Sequence, residues 1–291
     1  MRAIAARDGL ALAFLSQPGE ARVYISGVDT RAERLQAFVL RTLPYGESDV
    51  IAHLLVQGKG RVSAFARGAR KSVKRFGGSL AAFQLIEVLL AERRSAELLA
   101  LREATLIEPY LPVREDLHRI AHAGYAAELA SDLTRASEPA DTIFALVCQF
   151  FTLLSSGSAT SARLRALELT TLGAAGLAPE LSACARCGLS VAPGRVAFDP
   201  AAGGVACAQC AAPSALFFTA GARAAIEQLQ RRGIAGSEAP LSADGSGRPA
   251  DARAFEEACA QAARPLAEFL AHHVGHRPRT VDFLTQVGAP R

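Results

Sequence analysis

The sequence is poor in aromatic residues: it has no tryptophan, and phenylalanine and tyrosine together make up 6% of its 291 residues. Hydrophobic cores must therefore be built mainly from alanine, leucine and valine, within a composition that is 50% apolar. Alanine and leucine are strong helix formers, so the composition favours helix. At roughly 150 residues per domain, the length predicts about two domains.

Long hydrophobic runs are also missing. No stretch approaches the ~20 apolar residues of a membrane-spanning helix, and the apolar run at residues 9–15 is short for a signal peptide. Four of the six cysteines form two CxxC pairs, which without a secretion signal indicate a metal site rather than disulfides. We therefore expect a protein of the reducing cytoplasm that does not enter a membrane.

Motifs of catalysis are absent as well. The sequence contains no G-x-x-x-x-G-K phosphate loop and no nucleophile elbow between a strand and a helix. His118 and His122 are four residues apart, but Arg119 stands where a zinc protease needs glutamate. Three further histidines are expected at a solvated helix end: His272, His273 and His276. We predict a protein that is not an enzyme and has no small-molecule substrate.

The first half of the chain has the patterns of short strands. They are predicted at residues 36–43, 50–57, 61–67, 84–91 and 98–101, with loops at 44–49 and 68–78. In the third strand, Val62, Ala64 and Ala66 alternate with more polar neighbours, so the two sets face opposite sides. Five short strands so close together predict a small closed barrel of the OB type.

Beyond Pro112 the apolar residues recur at helical spacing. Helices are predicted around residues 117–133, 141–154, 163–172 and 220–231, and again from residue 251. Asp141 is the predicted N-cap of the second of these helices. Pro265 predicts a break or a new first turn in the last one, because proline cannot continue a helical hydrogen-bond ladder.

The most specific motif is formed by cysteines. Cys184-Ala-Arg-Cys187 is followed, after nineteen residues, by Cys207-Ala-Gln-Cys210. Each CxxC turn can present two thiolates to one tetrahedral zinc ion, and the predicted hairpin at 195–206 folds the second pair onto the first. We predict one structural Zn²⁺ on these four ligands. The alternatives are cysteines that have lost the metal and pack as small hydrophobic residues, or a redox pair.

A local run of basic residues is the second motif. Seven of the 32 basic residues lie within positions 59–75, and no acidic residue follows before Glu87. Such a run binds phosphates by releasing counterions, and an OB barrel adds aromatic side chains on which bases stack. The predicted nucleic-acid contacts are Arg41, Lys59, Arg61, Phe65, Arg67, Arg70, Lys71, Lys74 and Arg75. The alternative is a solvated face that keeps the barrel soluble.

Together these patterns predict an α+β multidomain chain. A loosely ordered N-terminal extension is expected at residues 1–34, and an OB-fold DNA-binding domain at 35–111. A helical domain is expected at 112–291, with an inserted four-cysteine zinc knuckle at 181–213.

The motifs resemble the bacterial RecO recombination mediators. Residues 36–49, Q-A-F-V-L-R-T-L-P-Y-G-E-S-D, look like the first strand and loop of that family, and residues 60–71 look like its third strand and basic loop. Residues 165–188 resemble the helix that leads into its zinc knuckle, and residues 203–207 the second half of the knuckle. Residues 275–280, G-H-R-P-R-T, resemble its closing motif, although proline and threonine replace more usual residues.

The resemblance implies an OB barrel, a helical domain with an inserted zinc knuckle, and a role in recombinational DNA repair. It implies binding of single- and double-stranded DNA and annealing of complementary strands. The implied partners are RecR, the C-terminal tail of single-stranded-DNA-binding protein and, indirectly, RecA. The alternative function is a zinc-ribbon adaptor for protein–protein docking with incidental DNA affinity, and a third is an unrecognised nuclease or ligase-like enzyme.

Overall fold

The computed structural model describes residues 32–92, 98–237 and 251–288. The predicted N-terminal extension lies outside these residues, except for positions 32–34, which belong to the first strand. Among the described residues, no helix is both long and apolar enough to cross a lipid bilayer.

Five strands form the N-terminal barrel: β1 (Ala32–Tyr45), β2 (Asp49–Val56), β3 (Gly60–Ala66), β4 (Leu85–Ala91) and β5 (Leu99–Glu108). They close in the order β1-β2-β3-β5-β4, with β3 and β5 parallel and the other pairs antiparallel. The predicted OB-type barrel is therefore confirmed. β1 and β5 are longer than predicted. The N-terminal end of β1 and the C-terminal end of β5 continue to pair with β4, and Pro44 and Tyr45 at the other end of β1 pair with β2.

The predicted alternation of β3 is confirmed. Val62, Ala64 and Ala66 are buried in the barrel core, whereas the side chains between them are partly exposed. The predicted loop at 68–78 contains one helical turn, α1 (Val73–Phe76). Phe76 fixes this turn by inserting into the barrel core. One turn is too short to show a helical period in the sequence.

The helical domain consists of α2 (Leu111–Arg114), α3 (Leu117–Asp132), α4 (Asp141–Ser156), α5 (Ser161–Ala174), α6 (Ala220–Arg232), α7 (Ala252–Gln261), α8 (Ala263–Val274) and α9 (Thr280–Val287). Ten of the fourteen residues of α5 are buried, so this helix lies at the centre, packed against α3, α4, α6 and α7. Pro265 lies in the first turn of α8, after the break at Ala262, as predicted.

The predicted N-cap at Asp141 is wrong. Ala140 occupies the cap position and Asp141 is the first residue of α4. Its Oδ1 instead accepts a hydrogen bond from the Gly58 N–H at 2.7 Å, in the turn between β2 and β3. The carboxylate therefore joins the helical domain to the barrel.

The barrel interior has a core of its own, and side chains of β1 and β2 on its outside pack into the core of the helical domain. Phe38 of β1 packs on Phe151 of α4 with ring centroids 4.5 Å apart, within the hydrophobic cluster that fills the helical domain. At the boundary, the Ser137 N–H donates to the Arg61 carbonyl oxygen at 2.9 Å. Gly60 lies so close to the α3–α4 connection that a Cβ there would be 1.8 Å from the Glu138 carbonyl oxygen.

A small sheet is inserted between α5 and α6. It contains β6 (Val196–Asp199), β7 (Gly204–Ala206) and β8 (Leu216–Phe218) in the order β7-β6-β8. β6 and β7 form the hairpin predicted between the two cysteine pairs.

Candidate metal centre and nucleic-acid interface

The structure brings the four predicted cysteine ligands together. The Sγ atoms of Cys184, Cys187, Cys207 and Cys210 all lie within 4.8 Å of one another, and those of Cys187 and Cys207 are 3.8 Å apart. A tetrahedral ion with metal–sulfur bonds of about 2.3 Å separates its sulfur ligands by roughly 3.8 Å. The cluster therefore has the donor type and spacing of a four-thiolate metal site.

The backbone shapes the two cysteine turns. After the first pair, Gly188 adopts a left-handed conformation (φ 75°) and its N–H donates to the Cys184 carbonyl oxygen at 2.8 Å. In the second turn, the Ala211 N–H donates to the Cys207 carbonyl oxygen at 2.9 Å. Both turns are thus closed by the main chain, with their thiols directed to a common point.

Backbone pairing holds the first turn against the hairpin. The Val205 N–H donates to the Glu180 carbonyl oxygen at 2.8 Å, and the Glu180 N–H donates to the Gly203 carbonyl oxygen at 3.0 Å. A Cβ on Gly204 would lie 2.3 Å from the Glu180 oxygen, so only glycine allows this approach. The Gly203-Gly204 pair is therefore required for both the turn and the contact.

Arg223 of α6 fixes the knuckle to the helical domain. This buried guanidinium donates to the carbonyl oxygens of Ala192 at 2.6 Å and Leu181 at 2.8 Å, and pairs with Glu227 at 2.8 Å. No sequence pattern distinguishes Arg223, because an arginine within a predicted helix resembles any solvated one. Only the tertiary contacts identify it.

Four thiolates this close together would repel one another unless a cation lay between them. Backbone N–H groups of Cys207 and Cys187 lower the pKa of the Cys184 thiol to about 6. Side-chain contacts with Cys207 and Cys187 raise the pKa of the Cys210 thiol to about 12. One thiolate thus forms readily while further negative charge is opposed, and a divalent metal ion would stabilise all four as thiolates.

The structure divides the predicted basic residues into two groups. Arg67, Arg70, Lys71, Lys74 and Arg75 are exposed in the segment at 67–75, which we call the basic loop. Lys59 and Arg61 lie elsewhere. The Lys59 Nζ pairs with Glu33 Oε2 at 2.9 Å, and the half-buried Arg61 donates to Ser131 Oγ of α3 at 3.2 Å.

The basic loop is tied to the turn between β1 and β2. The Arg70 N–H donates to the Ser48 carbonyl oxygen at 2.9 Å, and the Gly68 N–H donates to Asp49 Oδ1 at 2.7 Å. The Gly68 bond lowers the pKa of the Asp49 carboxyl below its usual value. Arg75 closes the loop by donating to the Arg67 carbonyl oxygen at 2.8 Å. The loop is therefore ordered, with its cations held at one end of the barrel.

Beside this loop, the outer face of β1–β3 carries an aromatic and aliphatic patch. The register places Leu43 opposite Ile51 and Ile51 opposite Phe65. Tyr45 packs edge-on against Phe65 with ring centroids 5.6 Å apart and remains 56% exposed. Phe65 is among the contacts predicted from the sequence, whereas Tyr45 falls in the loop predicted at 44–49. Proline is typical of loops, so no sequence pattern indicates that β1 continues through Pro44 to Tyr45.

Arg41 and His53 lie on the same outer face. Arg41 is exposed and pairs in register with His53, which in turn pairs with Ser63. Burial, Arg41 and Arg61 lower the pKa of His53. The face therefore presents arginine at one edge of the patch and the basic loop at the other.

Comparisons with known proteins find one family model for the barrel and one for the helical domain. Residues 31–110 match the family described as Recombination protein O N terminal, and residues 114–281 match Recombination protein O C terminal. A protein of Anaeromyxobacter sp. (strain K) named DNA repair protein RecO is 43% identical over 257 residues, covering 88% of this chain and 96% of its own. The proteins of the same name from Myxococcus xanthus and Pelobacter propionicus are 39% and 34% identical, over 87% and 88% of this chain and 96% and 97% of their own. The chain belongs to the RecO family.

Proposed function

We propose that this protein is a DNA-binding recombination mediator of DNA repair, without a catalytic step of its own. The observation that carries the proposal is the contact between the exposed Tyr45 and the partly buried Phe65 on a barrel face bordered by the basic loop. Bases stack on aromatic side chains and phosphates bind cations, and neither interaction demands a particular sequence. Membership of a family whose relatives are named DNA repair proteins supports the same role.

The phosphate contacts are assigned to Arg67, Arg70, Lys71, Lys74 and Arg75. If all five bind a single strand, the logarithm of the affinity falls against the logarithm of salt concentration with a slope of roughly −3.5. Arg41 adds a contact at the other edge of the patch. Lys59 is already paired with Glu33, and Arg61 is half-buried with one N–H bonded to Ser131, so neither is as open to phosphate as the basic loop.

The test is oligonucleotide binding as a function of salt. The double variant Lys71→Glu/Lys74→Glu is expected to reduce the magnitude of the slope by at least about 1.4 on single strands. Its matched control is Arg231→Glu/Arg253→Glu, which reverses two exposed arginines on α6 and α7. Equal slopes in wild type and loop variant would remove the basic loop from the interface.

We propose that the metal at the four cysteines is one Zn²⁺ ion. Four thiolates leave no open coordination position, so the ion stabilises the knuckle and takes no part in a reaction. Metal analysis of the purified protein is expected to give one zinc per chain. The quadruple cysteine-to-serine variant, if folded, is expected to contain none.

The proposed cellular role is annealing of complementary strands and assistance to RecA on DNA coated with single-stranded-DNA-binding protein. The proposed partners are RecR, the tail of the coating protein and, indirectly, RecA, in the cytoplasm. The decisive assay is annealing of coated complementary oligonucleotides with and without this chain. Acceleration supports a mediator, whereas strand cleavage in Mg²⁺ would indicate a nuclease.

The second candidate is an adaptor that uses the knuckle for protein docking. The observation in its favour is the exposure of Leu189 on the knuckle and of Phe217 on the adjoining strand β8. An adaptor would leave the annealing rate unchanged, so the same assay separates the two functions.

A further inference from the structure

Val73, in the basic loop, carries the most exposed large hydrophobic side chain that the structure describes. It is 82% exposed, more than Leu189 on the knuckle or any exposed apolar residue of the helical domain. A single exposed valine costs little stability, but this one lies between basic residues, which favours an anionic partner with an apolar surface.

The backbone around Val73 is fixed. The Gly77 N–H donates to the Val73 carbonyl oxygen at 2.8 Å, and the Ser72 N–H donates to the Gly68 carbonyl oxygen at 3.0 Å. Phe76, three residues on, is buried in the barrel core. The valine is therefore held outward at the tip of an ordered loop and cannot fold back onto the barrel.

Cations flank the valine. Lys71 and Lys74 are both exposed, and their ammonium groups form no hydrogen bond or ion pair with the residues that the structure describes. No acidic residue lies between Lys59 and Glu87. The tip thus combines one apolar side chain with uncompensated positive charge on either side.

Duplex DNA offers the matching chemistry, since apolar base faces lie between two phosphate backbones. The loop is bonded to Ser48 and Asp49, next to Tyr45, so the tip and the aromatic patch lie at the same end of the barrel. An anionic membrane would also attract the lysines. However, one valine contributes only about 1.5–3 kcal/mol when fully buried, which is too little for anchoring by a single side chain.

We propose that Val73 is an apolar wedge that inserts at a base step of duplex DNA, while Lys71 and Lys74 bind the flanking phosphates. This inference rests on the proposed DNA binding and adds a mode of binding to it. Wedges of this kind partly unstack a step and kink the duplex by about 20–90°.

The test uses a short duplex with 2-aminopurine, whose fluorescence rises on unstacking, and a second duplex with a dye pair at its ends to report bending. Wild type is expected to raise the fluorescence and shorten the end-to-end distance. Val73→Ser is expected to lose both signals, while its salt slope changes by less than the ~1 unit that one lost phosphate contact produces. Val73→Leu is expected to retain both signals. Leu189→Ser, an exposed apolar change on the knuckle, is the matched control.

The outcomes separate the two proposals. If wild type binds with the expected salt slope but Val73→Ser distorts the duplex equally, the wedge is wrong and DNA binding stands. If wild type shows no salt-dependent binding to single or double strands, both proposals fail. Binding to phosphatidylserine vesicles that depends on Val73, without distortion of DNA, would overturn the wedge in favour of a membrane contact. Thermal melting of each variant verifies that the exposed substitutions leave the fold intact.

Discussion

At the scale of single residues, Arg223 fixes the knuckle to α6, a role that no sequence pattern predicts. Its guanidinium satisfies backbone carbonyls on two sides of the knuckle and pairs with Glu227. Replacement by methionine retains much of the apolar stem but leaves buried acceptors without donors.

Arg223→Met is therefore expected to lower the free energy of unfolding by about 3 kcal/mol. Denaturant unfolding measures the change, and Arg231→Met, at an exposed position of the same helix, is the control. A variant as stable as the control would show that water replaces the guanidinium at no cost.

His122 makes stability depend on pH. Burial lowers its pKa below 6.5, outweighing the backbone contacts with His118 and Thr160 that raise it. Below pH 6.5 the unfolded chain takes up a proton that the folded chain does not, so stability falls as the pH falls from 6.5 through the folded pKa.

Removing the imidazole should therefore weaken the acid sensitivity. Comparing denaturant unfolding at pH 7.5 and 5.5, we expect wild type to lose more stability than His122→Leu over this interval. An identical loss in both proteins would mean that other groups govern the dependence.

At the scale of elements, the turn between β2 and β3 determines how the barrel meets the helices. Gly60 has φ 67° and approaches the Glu138 carbonyl oxygen, whereas Gly58 has φ 74° but open space where a Cβ would lie. The two glycines share a left-handed backbone and differ in crowding, so they form a matched pair.

Gly58→Ala is expected to cost about 1 kcal/mol, from the left-handed backbone alone. Gly60→Ala is expected to cost at least about 2 kcal/mol more, because the methyl group must displace the α3–α4 connection. Thermal and denaturant unfolding check both values, and equal costs would show that this connection yields freely.

At the scale of the whole molecule, one side of the small sheet packs into the core of the helical domain, and its other side covers the cysteine cluster. Phe198 and Phe218 of the small sheet pack in the same hydrophobic cluster as α5, α6 and α8, with the rings of Phe198 and Phe269 5.7 Å apart. Loss of the metal should therefore affect more than the inserted segment.

Chelation of zinc is expected to lower the melting temperature of the entire chain, because the loosened sheet uncovers part of the shared core. The salt slope of DNA binding should remain near the wild-type value, since the basic loop and the Tyr45–Phe65 pair lie on the barrel. Calorimetry measures the melting temperature, and DNA titrations below that temperature measure the salt slope. An unchanged melting temperature after verified removal of the metal would contradict the structural role.

The sequence alone determined the barrel, the helical domain and the cysteine cluster, since each depends on local signals: alternation in β3, helical periodicity beyond Pro112, and ligand spacing from Cys184 to Cys210. The tertiary structure decided the rest. Strand pairing extends β1 to Tyr45 and so places Tyr45 against Phe65. Packing between the domains brings Arg61 into contact with Ser131, and Asp141 into contact with Gly58. The physical reason is that strands, helices and metal-ligand spacing depend on residues close together in the sequence. The contacts of a side chain depend on residues that become its neighbours only when the chain folds.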